Sequence, residues 1–409
     1  MRFSASRRSL MLASPGLMLG SPALTLLAPA SPALAASTLS PTATRTPRAD
    51  AGVTRGTALR FPDDEGSHPD FRIEWWYVTG WLRDAANADL GFQVTFFRHR
   101  NGSSDNNPSR FAPRQLIVAH AAIADARRGK LLHVQRVARA AFDRAAAGVG
   151  RTDVHIGGWA LEAESSSASG IALSDGRFVA RIADRSLALN LTLTRTQPPL
   201  LHGDAGYSQK GPDPSSASHY YTLPHLAVSG SIATDGRPVR VEGSAWLDHE
   251  WSSAAMDANA AGWDWIGINF DDGGALMAFR MRDRNGGALW ASATHRDAGG
   301  RTQTFAPDEV RWTPTRQWRS PRTGASYPVA WRVEVGSAAG SGSAGGSRTA
   351  RTAGDLTIDV APMMDDQEQD ARITTGTVYW EGAVTARRGT RRVGRGYLEL
   401  TGYAGTFRL

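Results

Sequence analysis

The feature that most constrains this chain is a succession of short β-prone runs separated by Gly, Asp and Asn turns, with no long segment of 3.6-residue period. Residues 74–82 (EWWYVTGWL) are aromatic and β-branched, 84–89 supply a turn, and 90–97 resume the strand pattern, which predicts a β-hairpin. Further strands are predicted at 115–124, 131–138, 178–182, 187–193, 226–232 and 239–251, with room for a short helix at 136–147 and another at 253–261. The second half repeats the theme: 263–270, the turn Asp271-Asp272-Gly273-Gly274 and 275–280 form a second Trp-bearing hairpin. Residues 330–335 and 356–360 alternate cleanly, and 376–386 and 396–403 supply closing strands. A strand so near the end suits a barrel sealed by its last strand. The pattern predicts an all-β protein made of two similar antiparallel barrels.

Composition narrows the function. A chain of 409 residues with 41% hydrophobic and 21% charged residues has the profile of a globular protein and the length for two domains. Cysteine is absent, which excludes disulfides, thiol nucleophiles and thiolate metal sites. The net charge of +7 carries no block of basic residues with interleaved aromatics, so no nucleic-acid partner is expected. Past the N-terminal segment there is no run of about 20 apolar residues, so no membrane span is expected.

Residues 1–35 carry Arg7-Arg8, a proline-punctuated apolar stretch and Ala33-Leu34-Ala35, the pattern of a twin-arginine-type signal peptide with an A-x-A cleavage site. A periplasmic or secreted location is expected. Residues 36–57 have little to bury and read as a disordered linker. The ordered chain divides into an N-terminal barrel at 58–255 and a C-terminal barrel at 256–409, the latter with a flexible Gly/Ser/Ala loop at 336–354.

The candidate site is the stretch 245–280, where Asp248, His249 and Glu250 stand between Trp246 and Trp251. Ionisable groups embedded in aromatic surface have their pKa values shifted by burial. Alternation puts Trp246, Asp248 and Glu250 on one face of a strand and Leu247, His249 and Trp251 on the other; the sequence leaves open which face lines a cavity. Asp248, His249 and Glu250 are the candidate catalytic residues. Trp76, Tyr77, Trp246, Trp251, Trp263 and Trp265 are the candidate walls for an apolar substrate. No H-x-H or H-E-x-x-H spacing supports a metal site, and none is assigned. A G-x-S-x-G nucleophile elbow is absent.

The segments FPDDEGSHPDFRIEWWYVTGWL (61–82), AWLDHEWSS (245–253), GWDWIGINFDDGGALMAFR (262–280), YWEGAV (379–384) and GYLELTGY (396–403) resemble the carotenoid 1,2-hydratase (hydroxyneurosporene synthase) and lipocalin-like family, over roughly 58–409. The resemblance implies two tandem lipocalin-like (calycin) β-barrels around apolar cavities. It also implies acid-catalysed, cofactor-free hydration of an isoprenoid, carotenoid-like or other lipidic substrate. An aspartate near the end of the first domain is held to be the family's acid, and Asp248 is the matching position. Trp246 and Trp76 would then stabilise a carbocation, and Glu250 or His249 would orient or deprotonate water. A lipid-carrying lipocalin without chemistry is the alternative expectation, and a secreted hydrolase the third.

Overall fold

The computed structural model describes residues 49–165, 174–254, 256–337 and 355–405. The export segment at 1–35 and all of the 336–354 loop except Gly336 and Ser337 lie outside the described residues. Strand accounts for 59% of the chain and helix for 3%, so the all-β expectation holds. The short helices expected at 136–147 and 253–261 are not formed; strands and turns occupy those stretches among the described residues.

The first sheet runs β1 (Ile73–Asp84), β2 (Asp89–Arg100), β3 (Gln115–Ala124), β4 (Leu132–Arg139), β5 (Ala145–Ala147), β6 (Asp153–Ile156), β7 (Trp159–Ser165), β8 (Ser174–Ala183), β9 (Ala188–Thr194), β10 (Leu200–Leu201), β11 (Tyr207–Gln209), β12 (Ala217–Ala233) and β13 (Val239–Ser252). The second runs β14 (Ala260–Phe270), β15 (Ala275–Asp283), β16 (Ala288–Arg296), β17 (Thr302–Phe305), β18 (Val310–Arg319), β19 (Ser326–Val335), β20 (Leu356–Pro362), β21 (Glu368–Ala371), β22 (Thr377–Arg388) and β23 (Arg391–Thr401). Every pairing is antiparallel, and in each sheet the last strand pairs with the first: β13 with β1, and β23 with β14. The strand path ends at β4 and β5 in the first sheet and at β17 and β18 in the second, and one of the two sheets forms a nearly closed barrel.

Within 49–57, the described part of the stretch read from composition as a linker, two contacts reach loops beside the first sheet. Ala51 N donates to Asp70 O at 2.9 Å, and Arg55 pairs with Asp204 at 2.6 Å. The described residues fall in one compact unit.

The interior of the first sheet is filled by side chains, Trp76, Phe92, Phe96, Trp159 and Trp251 among the largest, and that of the second by Tyr327, Trp331 and Trp380. A third apolar cluster, including Tyr77, Trp81, Tyr220, Trp246, Trp265, Phe279 and Tyr397, lies where the outer faces of the two sheets meet. Two features allow the close approach. Gly91 on β2 leaves room for Ala383, whose Cβ would be 2.5 Å from any added methyl, and Trp81 Nε1 donates to Gly396 O at 3.0 Å. The expectation of apolar cavities inside the barrels is corrected here: the cavity with convergent chemistry lies between the sheets, because bulky side chains pack the interiors.

Candidate active site between the sheets

Three neighbouring strands build one wall. Tyr77 on β1 stands opposite Asp248 on β13, which stands opposite Thr222 on β12; one step along, Trp75, Glu250 and Tyr220 form a parallel row. The two aromatic patches read from sequence, around 76 and around 248, are thus adjacent strands of one sheet. The other wall comes from β15, β14, β23 and β22, where Phe279, Trp265, Glu399 and Glu381 form a continuous cross-strand row. Trp263, Met281 and Tyr379 extend it, and together the walls enclose a cavity of about 350 Å³, within the range of small-molecule sites.

Asp248 is 3% exposed. Its Oδ1 accepts from Trp246 Nε1 at 2.7 Å and from the Thr222 hydroxyl, and the Tyr220 hydroxyl also hydrogen-bonds it. In its protonated form the carboxyl keeps acceptor capacity for these donors and has one O–H to give. Burial outweighs these hydrogen bonds and raises the carboxyl from 3.8 to about 7, so near neutrality Asp248 is substantially a protonated acid. Behind it, His202 Nε2 lies 2.6 Å from Thr222 Oγ1, and Trp265 Nε1 donates to Tyr220 OH at 3.1 Å. These contacts fix both hydroxyls that hold the acid. Glu250, also lining the cavity, is paired with Lys210 Nζ at 3.0 Å and takes the Ser218 hydroxyl.

The structure separates the sequence candidates. Asp248, Glu250, Tyr77, Trp263 and Trp265 line the cavity. Trp246 lies beneath it, edge-on to Trp265 with ring centroids 6.3 Å apart, and serves as the donor to Asp248. His249, Trp76 and Trp251 do not line this cavity, since alternation turns them into the first sheet's interior. There His249 Nε2 meets Glu74 Oε1 at 3.0 Å, its Nδ1 meets Tyr221 OH at 3.2 Å, and its ring stacks on Trp76.

Among the described residues His68, Glu74 and His249 bring ligand atoms within 4.8 Å of one another, close enough for a metal ion. The surroundings favour a hydrogen-bonded network instead. Glu74 Oε1 lies 2.7 Å from His68 Nδ1, while Oε2 takes the fully buried Arg98 Nε at 2.7 Å. Burial opposes the Glu74 charge, but hydrogen bonds from His249 and His68 and the Arg98 guanidinium hold its carboxyl well below the usual range. Burial likewise disfavours charge on His68, yet its bonds to Asp64 and Glu74 raise its pKa. Arg98 and His68 already balance Glu74 and Asp64, so a divalent cation would be in electrostatic excess.

Sequence reasoning missed Glu381 and Glu399. Both line the cavity, Glu381 buried and Glu399 partly so, and both have pKa values raised first by desolvation, Glu399 to about 7. The signal was present in YWEGAV and GYLELTGY, where Tyr379 and Glu381, and Tyr397 and Glu399, alternate onto one face. A second groove between the sheets, about 780 Å³, is lined by Arg83, Glu242, Asp271, Arg392 and Arg395, with Arg83 and Arg395 paired to Asp89 and Arg392 to Asp271.

The fold and site define a class: a lipocalin-like protein of two antiparallel sheets with an acid-bearing aromatic cleft between them. The AttH-like family model matches residues 52–403, and the chain belongs to that family. A Nitrosomonas europaea protein assigned to AttH has a crystal structure 48% identical in sequence, with a TM-score of 0.75, covering 86% of this chain and 99% of its own. Kievitone hydratase from Nectria haematococca shares the fold at 15% identity and a TM-score of 0.61, covering 88% of this chain and 98% of its own. CghA, solved with Sch210972, does so at 14% identity and a TM-score of 0.52, covering 88% and 98%. Dehydratase asqC from Emericella nidulans is 25% identical over 160 residues, 37% of this chain and 43% of the dehydratase, so the chain matches less than half of that relative's length.

Proposed function

We propose that this protein is an enzyme that adds water to, or removes it from, an apolar small organic molecule held between the two sheets. The observation that carries the reading is Asp248, a buried carboxyl raised to about 7 and held by Trp246, Thr222 and Tyr220 in an aromatic cavity. In the hydration direction Asp248 gives its proton to an alkene carbon. The resulting cation lies among Trp75, Tyr77 and Trp265, whose faces stabilise a desolvated cation by roughly 0.5–2 kcal/mol. Water then adds to the cation and releases a proton, which restores the acid. In the dehydration direction Asp248 protonates the hydroxyl, water leaves, and the Asp248 carboxylate takes the proton of the neighbouring carbon as the alkene forms. Relatives named as a hydratase and a dehydratase support this class of chemistry.

An isoprenoid or similar lipidic substrate is part of the proposal, supported by the aromatic and aliphatic lining at Trp75, Phe97, Leu116, Val118 and Met281. The test is incubation of the full chain with terpenoid and polyketide-type lipids in H2¹⁸O, followed by mass spectrometry. A product differing from its precursor by one water is expected with the wild type, and turnover at least about 100-fold lower with Asp248→Asn. Equal turnover by the two proteins would overturn the assignment of the acid.

Export is proposed on the twin-arginine pattern at 1–35. Cell fractionation should place a shortened chain outside the cytoplasm, and replacing Arg7 and Arg8 by lysine should retain the full-length chain inside. An unshortened wild-type chain in the cytoplasm would refute it.

A further inference from the structure

Glu381 and Glu399 face each other directly on β22 and β23, Glu381 buried and Glu399 partly buried. Like charges opposite one another on neighbouring strands repel, and burial raises the cost of each. The surrounding donors hold the two carboxyls in place without neutralising them. Gln93 Nε2 donates to Glu381 at 2.6 Å, Trp263 Nε1 to Glu399 at 3.0 Å, and Thr401 Oγ1 to Glu399 at 3.1 Å. Among the described residues no basic side chain is ion-paired with either acid, and Lys210, the cavity's lysine, is paired with Glu250.

A second observation points into the same space. The Tyr77 hydroxyl is buried, belongs to a residue only 5% exposed, and has no hydrogen-bond partner. It lies in the field of Glu381, Glu399 and Asp248. The Tyr397 hydroxyl, in the field of Glu381 though outside the cavity lining, is likewise buried and unpartnered. Buried polar groups left without a partner are a standing cost that a ligand can relieve.

We propose that the cleft takes an apolar molecule bearing a protonated amine, the ammonium lying between Glu381 and Glu399 against the aromatic faces of Tyr77, Trp263 and Tyr379. An ammonium supplies the positive charge the pair lacks, donates to carboxylate oxygens and to the Tyr77 hydroxyl, and is attracted by indole and phenol faces. Its apolar body extends along Trp75 and Met281 toward Asp248. This assignment rests on the cleft being the ligand site proposed above.

The pair's charge should couple binding to pH. Asp248 and Tyr77 from the first sheet, Glu250 with its partner Lys210, and Tyr379 and Tyr397 from the second surround the two acids. Of these Asp248 titrates in the same range, so the pH series is run in both wild type and Asp248→Asn. An alkylammonium stays charged to about pH 10. It displaces the proton that the empty pair retains, so its affinity should rise as pH rises, approaching roughly tenfold per unit while one proton is displaced.

The probes are decylamine and decanol, titrated into the full chain with tryptophan fluorescence as the readout. At pH 8 decylamine should bind at least about tenfold more tightly than decanol. The preference should shrink toward pH 5 in both wild type and Asp248→Asn. Glu381→Gln combined with Glu399→Gln should abolish the preference while leaving decanol affinity within a few-fold. Equal affinity for the two probes in the wild type overturns the amine assignment and leaves the cleft as a ligand site. A preference that survives the double substitution, or that is flat with pH, also overturns it. If neither probe perturbs the tryptophans, the amine assignment and the cleft reading both fall. Should the double variant not fold, the wild-type pH series decides by itself.

Discussion

At the scale of single residues, two buried carboxylates of the first sheet carry opposite predictions. Asp248 keeps a proton in the folded state that the unfolded chain releases near pH 4, so between about pH 4 and 7 the folded state binds more protons and its stability falls as pH rises. Asparagine has no such dependence. The melting temperature of Asp248→Asn relative to wild type should therefore climb from pH 4 to pH 8, with a shift from 3.8 to about 7 corresponding to at most about 4 kcal/mol. A constant difference across that range would mean that Asp248 is not a buried acid. Glu74 is the reverse case, its pKa depressed below 4.5 by His249, His68 and Arg98 against the effect of burial. Its contribution is present above the unfolded value and lost as pH falls below it. Glu74→Gln leaves Arg98 buried without its partner and should cost about 3–5 kcal/mol at pH 7, a deficit that narrows in acid; chemical denaturation at pH 7 and pH 3 measures both. The sequence marked the acids among tryptophans at 246–251 as a candidate site, and Asp248 and Glu250 line the cavity between the sheets. The face that mattered was not legible, because every residue of β13 from Ala245 to Ser252 is buried and hydrophobic alternation gives no contrast.

At the scale of elements, strands announced by β-branched and aromatic runs were read well: the 115–124 run coincides with β3, and the turn at 271–274 joins β14 to β15. What the sequence did not carry was the pairing of distant strands. Tyr77 reaches Asp248 only because β13 returns to β1 across the whole first half of the chain, and no local propensity encodes that register. Nor did periodicity reveal that both faces of β1 and β13 are covered, one by the barrel interior and the other by a second sheet. A glycine marks that second contact. Gly267 on β14 has ring carbons of Trp265 and Trp246 where a Cβ would lie, at 2.7 and 2.8 Å. Gly267→Ala should therefore cost about 1–3 kcal/mol through overpacking. Because the displaced Trp246 indole is a donor to Asp248, the substitution should also move the pH midpoint of that acid. A fall in melting temperature with an unchanged midpoint would show that the indole shifts without loosening its hydrogen bond.

At the scale of the whole molecule, the cleft belongs to neither sheet alone. Its acid and one aromatic row come from β1, β12 and β13, and its carboxylate pair and the other row from β14, β15, β22 and β23. The apolar cluster between the sheets takes Tyr77, Trp81, Tyr220 and Trp246 from one side and Trp265, Phe279 and Tyr397 from the other. A half-molecule would expose that surface to water, at roughly 25 cal/mol for each Å² of apolar area, and an exposed patch of large aromatics binds hydrophobic dyes and promotes association. It would also open Asp248 to solvent, remove the burial that raises its pKa, and return it toward an ordinary ionised carboxylate. Expressed separately, 58–255 and 256–409 should each bind a hydrophobic dye strongly, whereas the intact chain should not. Neither half should bind a cleft ligand recognised by the intact chain, and mixing the halves should restore binding in proportion to their reassociation. If 58–255 alone bound that ligand with the affinity of the full chain, the site would have to lie inside the first barrel, and the placement of the chemistry between the sheets would be wrong.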